Sequence, residues 1–158
     1  MSATRADWIE ACNSELLAQG VHNFSALEVA DVGRRAGDCE LQAPTLDLLE
    51  NAIILIDVLQ YIRDEGVRSP VLINSWYRDP EYNKEIGGVP WSMHLTCGAA
   101  DIVKLGYTPS QVADMLEAHP LAEKLGIGRY NSFTHVDIRG WLGRQAPCLL
   151  YTSDAADD

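Results

Sequence analysis

The chain has 158 residues, of which 47% are hydrophobic and 22% charged, and its formal net charge is −11 at pH 7. This length and composition are typical of one globular domain that buries a core without needing disulfide bonds or metal ions for stability. The acidic balance argues against a nucleic-acid partner, because phosphate binding needs a basic face.

The sequence carries no sign of membrane insertion or export. No apolar run approaches the roughly 20 residues that cross a bilayer, and the N-terminal segment lacks the apolar core of a signal peptide. We therefore expect a monomer that is made in the cytoplasm and reaches any target outside it by another route. Irregular spacing and the absence of a C-x-x-C pair predict free, buried thiols for the four cysteines. These are Cys12, Cys39, Cys97 and Cys148.

Two helices are predicted at the start of the chain. The first covers residues 4–19, where apolar side chains recur at helical spacing and a glycine follows. The second opens at residues 24–30, with Ser25 as N-cap and Glu28 three residues later as the other half of a capping box. The glycines within residues 33–37 are expected to end it.

The longest predicted helix has Thr45 as its cap and ends near residues 64–66. Its apolar side chains follow an i, i+3, i+4 stripe, which indicates a face turned towards the core. The stripe consists of Leu46, Leu49, Ile53, Ile56, Leu59 and Ile62.

The second half of the chain is predicted to be mainly strands. Strand candidates, chosen by β-branched content and flanking turn residues, are 70–75, 99–103, 126–130 and 133–138. One more helix is predicted between them, with a capping box from Thr108 to Gln111 and an end before Pro120. Helices followed by a small antiparallel sheet predict an α+β fold in one domain over residues 1–147.

The last segment, residues 148–158, continues no pattern from upstream and resembles the translation of a transposase adapter used in sequencing libraries. We expect it to be an artefact that lies outside the fold, with the natural sequence departing after about Pro147. Without its three acidic residues the net charge moves from −11 to −8, so the chain remains acidic.

A polar, glycine-rich run over residues 75–101 lies between two apolar segments and contains His94 and Asp101. Downstream, strand alternation places His135 and Asp137 on the same face of their strand. His94, Asp101 and His135 are nitrogen and oxygen donors of the types that build an open zinc site. The alternative is that they are ordinary hydrogen-bonded or surface groups, since two histidines and one aspartate are common in any chain.

An ordered string of motifs runs through this region: Ser75-x-Tyr77-Arg78, Asn83, Gly87-Gly88, Ser92-x-His94, Gly98-x-Ala100-Asp101 and His135-Val-Asp137. The string resembles the zinc D-Ala-D-Ala carboxypeptidase family of peptidoglycan peptidases, which is subfamily A (C-terminal type) of the M15 peptidases. That family shares its fold with lysostaphin-type enzymes and the hedgehog signalling domain. The resemblance implies a small antiparallel sheet that carries a Zn²⁺ site packed by helices, and an enzyme that hydrolyses stem or cross-link peptides of the cell wall.

The resemblance also implies roles for single residues. His94, Asp101 and His135 would be the three zinc ligands, with water in the fourth position. Arg78 would be a catalytic residue that stabilises an oxyanion or grips a substrate carboxylate, tasks that suit a guanidinium fork.

Further motif positions are expected to bind substrate, namely Tyr77, Asn83 and Ser92, although Asn83 and Ser92 could equally hold the loop. Trp76 and Trp91 could line a peptide cleft, but core packing is the safer expectation for aromatic side chains.

The general base departs from the family's pattern. Related enzymes carry an acidic residue three positions before the third ligand, or a histidine two before it, and here those positions hold Ser132 and Phe133. Asp137 is the best substitute, either as the base or as a carboxylate that orients a ligand. If no base exists, the domain would be a catalytically silent zinc-dependent module that binds the wall. A single compact domain without a visible signal peptide would suit a phage lysis enzyme or a domain of a bacterial wall-remodelling system.

Overall fold

The structure is a computed structural model, and it describes residues 3–31 and 42–151 of the chain. Within those ranges the chain forms five α-helices and five β-strands. In chain order they are α1 (Arg5–Ala18), α2 (Ala26–Asp31), α3 (Leu49–Asp64), β1 (Val71–Ser75), α4 (Pro80–Glu85), β2 (Ala99–Lys104), α5 (Pro109–Glu117), β3 (Gly126–Arg129), β4 (Thr134–Asp137) and β5 (Cys148–Tyr151). None of these helices is both long and apolar enough to span a bilayer.

Capping boxes set the starts of three helices. The backbone N–H of Ser25 donates to Glu28 at 3.0 Å, which confirms the predicted capping box before α2. The box at α5 is confirmed in the same way, because the N–H of Thr108 donates to Gln111 at 2.8 Å. α1 has a third box, between Thr4 and Asp7. The expected end of α2 at residues 33–37 lies outside the described residues.

The start of α3 differs from the prediction. The side chain of Thr45 makes no capping hydrogen bond, because a 3₁₀ turn over Leu46–Leu48 precedes the helix and α3 begins at Leu49. The predicted cap is therefore wrong, while the predicted end of the helix is confirmed. Six α3 side chains are buried: Ala52, Leu55, Ile56, Val58, Leu59 and Ile62.

The five strands form one sheet in the order β1-β2-β4-β3-β5. The first four are antiparallel neighbours, as predicted, and β5 adds a parallel pairing with β3, so the sheet is mixed. Across the sheet Ser75 pairs with Asp101, Asp101 with His135, and His135 with Gly128. The α+β fold class is confirmed, and two of the three candidate metal ligands, Asp101 and His135, lie on the paired strands β2 and β4 of its sheet.

Strand β5 is formed by the first four residues of the segment 148–158, which we expected to lie outside the fold. The N–H of Cys148 also donates to the carbonyl of Leu125 at 3.1 Å. The foreign origin of residues 148–158 stays a prediction, and residues 152–158 lie outside the described range. Three cysteines in the described ranges are free thiols: Cys12 and Cys97 are buried, and Cys148 is half-buried.

A buried lysine joins the sheet to the longest helix. Lys104, at the end of β2, is fully buried, and its Nζ donates to the carbonyl of Ile62 at 2.7 Å and to that of Glu65. These carbonyls belong to the C-terminal turn of α3, where backbone acceptors lack helical partners and positive charge is favourable. Nζ also lies 4.7 Å from the centroid of the Tyr107 ring. Lys104 therefore fixes β2 against α3.

We expect Lys104→Met to lower the free energy of unfolding by about 1–3 kcal/mol, because it leaves buried carbonyls without their donor. Lys84→Met, at an exposed position of α4, is the matched control and should change it by less than about 0.5 kcal/mol. Urea unfolding followed by circular dichroism measures both. Equal stability of the two variants would contradict the capping role of Lys104.

Candidate metal centre

The centre is built on the pairing of β2 with β4, which sets Asp101 directly opposite His135. Side chains of directly opposed residues in an antiparallel pair lie on the same face and in contact. Nδ1 of His135 accordingly lies 2.9 Å from Oδ1 of Asp101. Both side chains are buried, with exposed fractions of 1% and 5%.

The third residue, His94, comes from a 3₁₀ turn over Met93–Thr96. The hydroxyl of Ser92 accepts from the N–H of His94 at 3.3 Å and so begins the turn. Nδ1 of His94 lies 2.6 Å from the carbonyl oxygen of Trp76. A carbonyl can only accept, so Nδ1 carries the proton and Nε2 presents a lone pair to the cluster.

The donor atoms fit a metal ion. Nε2 of His94 is fully buried, and within the described part of the chain it has no hydrogen-bond partner, although it lies 3.4 Å from Oδ1 of Asp101. His94, Asp101 and His135 each offer one ligand atom within 4.8 Å of the others. Donors about 2.0 Å from a tetrahedral ion are about 3.3 Å apart, close to the separations seen here. An orphaned buried nitrogen is costly, and a divalent cation would satisfy it.

Electrostatics favour positive charge at this position. His135 lies between two carboxylates, with Nε2 2.8 Å from Oδ2 of Asp137. Burial alone would lower the pKa of His135, but the hydrogen bonds to Asp101 and Asp137 outweigh it and raise the pKa to about 9. Burial acts to raise the pKa of Asp101, yet His94 and His135 bring it well below its usual range. The cation that these two carboxylates stabilise is the imidazolium of His135, whose Nδ1 proton would have to leave when a metal ion binds beside Asp101.

Asp137 lies on the far side of the His135 ring from Asp101 and is fully buried. Its Oδ1 accepts from the backbone N–H of Arg139 at 3.0 Å and from Nε at 2.8 Å. Its Oδ2 accepts from Nη2 of Arg139 at 2.6 Å and from His135. Burial would raise the pKa of Asp137, but Arg139 and His135 hold it well below the usual range. With four donors the carboxylate is saturated.

Arg78 lies beside the cluster. Its side chain is buried, and Nη2 is 3.7 Å from Oδ2 of Asp101. Its backbone N–H donates to the carbonyl of His94 at 3.1 Å, which ties the segment after β1 to the turn that carries His94. The guanidinium is therefore placed to meet negative charge at the edge of the cluster.

The three residues predicted to bind substrate are buried or half-buried, and two of them make hydrogen bonds that hold loops. Asn83 is 3% exposed and its Nδ2 donates to the carbonyl of Val89 at 2.9 Å, so it holds the Gly-Gly loop. Ser92 caps the His94 turn, as described above. Tyr77 is half-buried, and burial, with a contribution from Asp79, raises the pKa of its phenol to about 12. Substrate binding by Tyr77, Asn83 and Ser92 stays a prediction.

The two tryptophans differ in exposure. Trp76 is fully buried and its Nε1 donates to the carbonyl of Cys97 at 2.8 Å, as expected for core packing. Trp91 is 63% exposed, contrary to that expectation, because its position lies on the loop just before the His94 turn. Of the two positions where related enzymes carry a base, Ser132 is exposed and Phe133 stacks on Tyr130 at 4.3 Å.

Sequence reasoning missed two features that hold the centre in place. Asp79 is the N-cap of helix α4, and its Oδ1 accepts from the N–H of Tyr82 at 2.8 Å. The sequence Asp-Pro-Glu, with proline as the first helical residue, was an available signal. For the contact of Arg139 with Asp137, the only signal in the sequence was that the two residues are two positions apart. Its contact with Asp137 depends on side-chain conformation at the end of β4.

Comparison with known proteins gives one finding. A family model described as Peptidase M15 matches residues 23–137, more than two thirds of the chain, and the match includes the whole cluster. A search of curated proteins finds no match.

We expect the wild-type protein to bind one equivalent of zinc and His94→Ala or His135→Ala to bind at least about 100-fold more weakly, because each removes one of three donors. His119→Ala is the matched control, since His119 lies outside the cluster. Isothermal titration and metal analysis after gel filtration measure both quantities. Unchanged zinc affinity in His94→Ala, with circular dichroism showing a native fold, would rule out the centre.

Proposed function

This chain belongs to the peptidase M15 family, and we propose that it is a zinc-dependent peptidase that hydrolyses stem or cross-link peptides of peptidoglycan. The observation that carries the proposal is the buried cluster of His94, Asp101 and His135 with its orphaned His94 Nε2. Two imidazoles and one carboxylate are a donor set that suits a catalytic zinc site with an open position.

In this proposal His94 Nε2, Asp101 Oδ1 and His135 Nδ1 hold the ion. A zinc ion held by these residues would supply Lewis-acid chemistry, since such an ion lowers the pKa of a bound water to about 7 and polarises a carbonyl. The protein fixes the directions of the donors beforehand: the carbonyl of Trp76 orients His94, and Asp137 orients His135. Such preorganisation avoids rearrangement when substrate binds.

Arg78 is the proposed group for the substrate's negative charge. Its guanidinium is buried beside Asp101, where the low local dielectric strengthens a charge-assisted hydrogen bond. It would donate to the carbonyl oxygen on which negative charge develops, or to the terminal carboxylate of a peptide. A contact with the terminal carboxylate would favour a carboxypeptidase. A contact with the carbonyl oxygen would serve a carboxypeptidase and an endopeptidase equally well.

The substrate class rests on the resemblance of the motif string from Ser75 to Asp137 to peptidoglycan peptidases. Among its positions, Tyr77, Asn83 and Ser92 lie near the cluster in sequence and are proposed to shape the peptide-binding surface, Asn83 and Ser92 by holding their loops. The protein would then act on the cell wall, as a phage lysis enzyme or a wall-remodelling domain, and as a monomer.

A second candidate function is a zinc-dependent module that binds the wall without cleaving it. The specific observation in its favour is the state of Asp137, whose oxygens are both occupied by Arg139 and His135. A carboxylate with a depressed pKa and no free lone pair is a poor proton acceptor, and Ser132 and Phe133 offer no carboxylate or imidazole. We therefore propose that Asp137 positions His135 and is not the base.

The test uses purified protein, one equivalent of zinc and isolated peptidoglycan, with the released muropeptides identified by mass spectrometry. We expect products whose formation stops with chelator and returns with zinc. Loss of a terminal residue would identify a carboxypeptidase, and opened cross-links an endopeptidase.

Arg78→Ala should lower kcat/KM by about 100- to 1,000-fold, as removal of an oxyanion donor does. Arg68→Ala is the control, because Arg68 is an exposed residue paired with Asp64. If the wild-type protein binds one equivalent of zinc but releases no muropeptides, the peptidase proposal is wrong and the binding module is supported. Product formation that chelator does not affect would contradict the metal-dependent reaction.

A further inference from the structure

The strongest structural feature outside the candidate metal ligands is the set of hydrogen bonds that Arg139 donates to Asp137. Three donors of one residue, the backbone N–H, Nε and Nη2, reach the two oxygens of the carboxylate two positions earlier. The Arg139 side chain is 11% exposed and that of Asp137 is fully buried. A bidentate guanidinium fork fixes the plane of a carboxylate as well as its charge.

That fixed plane determines what the carboxylate offers to His135. Oδ2 of Asp137, held by Nη2 of Arg139, is the oxygen that lies 2.8 Å from Nε2 of His135. An ionised carboxylate can only accept, so Nε2 of His135 must donate. The nitrogen left to bind a metal is therefore Nδ1, which faces Asp101 and would give up its proton to the solvent when a metal ion takes that place. Without Arg139, a buried carboxylate would lose its countercharge and its orientation.

Space for the pair is provided by a strand position without a side chain. Gly126 of β3 lies opposite Asp137 in the sheet. A Cβ at this position would come within 2.4 Å of Arg139 Nε and 2.5 Å of both Asp137 oxygens. Real Cβ atoms do not approach so closely, and both side chains of the pair are held by the contacts just described. A methyl group there would therefore displace the pair without removing any charge.

We propose that Arg139 is a positioning residue for the metal-binding ring of His135, acting through Asp137, and that Gly126 provides the space in which this pair lies. The proposal rests on the metal site of the proposed function, but not on peptide cleavage. It places Arg139 outside the group of residues that touch metal or substrate. Its role is to set the direction of the Nδ1 lone pair.

The experiment measures metal affinity by competition with a chromogenic chelator, and ligand geometry from the visible absorption bands of the Co²⁺-loaded protein. We expect Arg139→Gln and Gly126→Ala each to weaken zinc binding by about 10- to 100-fold, as loss of a group that orients a ligand does. Both should also change the position or intensity of the Co²⁺ bands. Arg139→Lys, which keeps the charge but not the fork, should fall between Arg139→Gln and the wild type.

Arg129→Gln is the matched control. Arg129 lies on β3 and pairs with two carboxylates, those of Asp114 and Glu117, at 2.7 and 2.8 Å. Neither carboxylate belongs to the metal centre. Loss of the Arg129 guanidinium should therefore lower thermal stability but leave zinc affinity and the Co²⁺ bands unchanged. Comparison of the two glutamine variants separates a positioning effect from a general loss of stability.

Wild-type affinity and unchanged Co²⁺ bands in Arg139→Gln would overturn the proposal, as would an equal effect of Arg129→Gln. Should Arg139→Gln fail to fold, Gly126→Ala and Arg139→Lys decide by the same two readouts. A wild-type protein that binds zinc but cleaves no peptide would end the peptidase proposal and leave this one standing. A wild-type protein that binds no zinc would end both.

Discussion

The antiparallel pairing of β2 with β4 is the constraint on which the rest of the centre depends. It brings Asp101 and His135, 34 positions apart in the chain, into direct contact on one face of the sheet. β2 is held on its other edge by β1 and at its end by Lys104, which is bonded to the carbonyls of α3. The residue after β1, Trp76, supplies the carbonyl that orients His94. The sheet therefore places two of the donors directly and orients the third through the carbonyl of Trp76.

Buried charge is balanced around this pairing. Two carboxylates, Asp101 and Asp137, are taken out of water, which is costly unless each has partners. Arg78 lies beside the first and Arg139 holds the second, while His135 connects the two. The arrangement is complete on the Asp137 side and leaves Nε2 of His94 unsatisfied on the other. This asymmetry distinguishes the face that would receive a cation from the face that supports it.

Local signals were readable from the sequence, and non-local ones were not. The capping boxes at Ser25 and Thr108 lie within four consecutive residues, and both were predicted correctly. The prediction of Thr45 as the cap of α3 was wrong, because a 3₁₀ turn occupies the residues between Thr45 and the helix. The parallel partner of β3 and the fit of Arg139 over Gly126 depend on strand register, which no local pattern encodes. The three candidate ligands were predicted from their motif string, because spacing alone weakened but did not exclude the alternative that they are ordinary polar residues.

The two histidines of the centre are oriented by different kinds of acceptor, and this has a consequence for how the protein tolerates genetic change. The acceptor for His94 is a main-chain carbonyl, present whichever amino acid is encoded at position 76. The acceptor for His135 is a side chain, so one codon change at Asp137 removes it. Random mutation should therefore disturb the orientation of His135 more readily than that of His94.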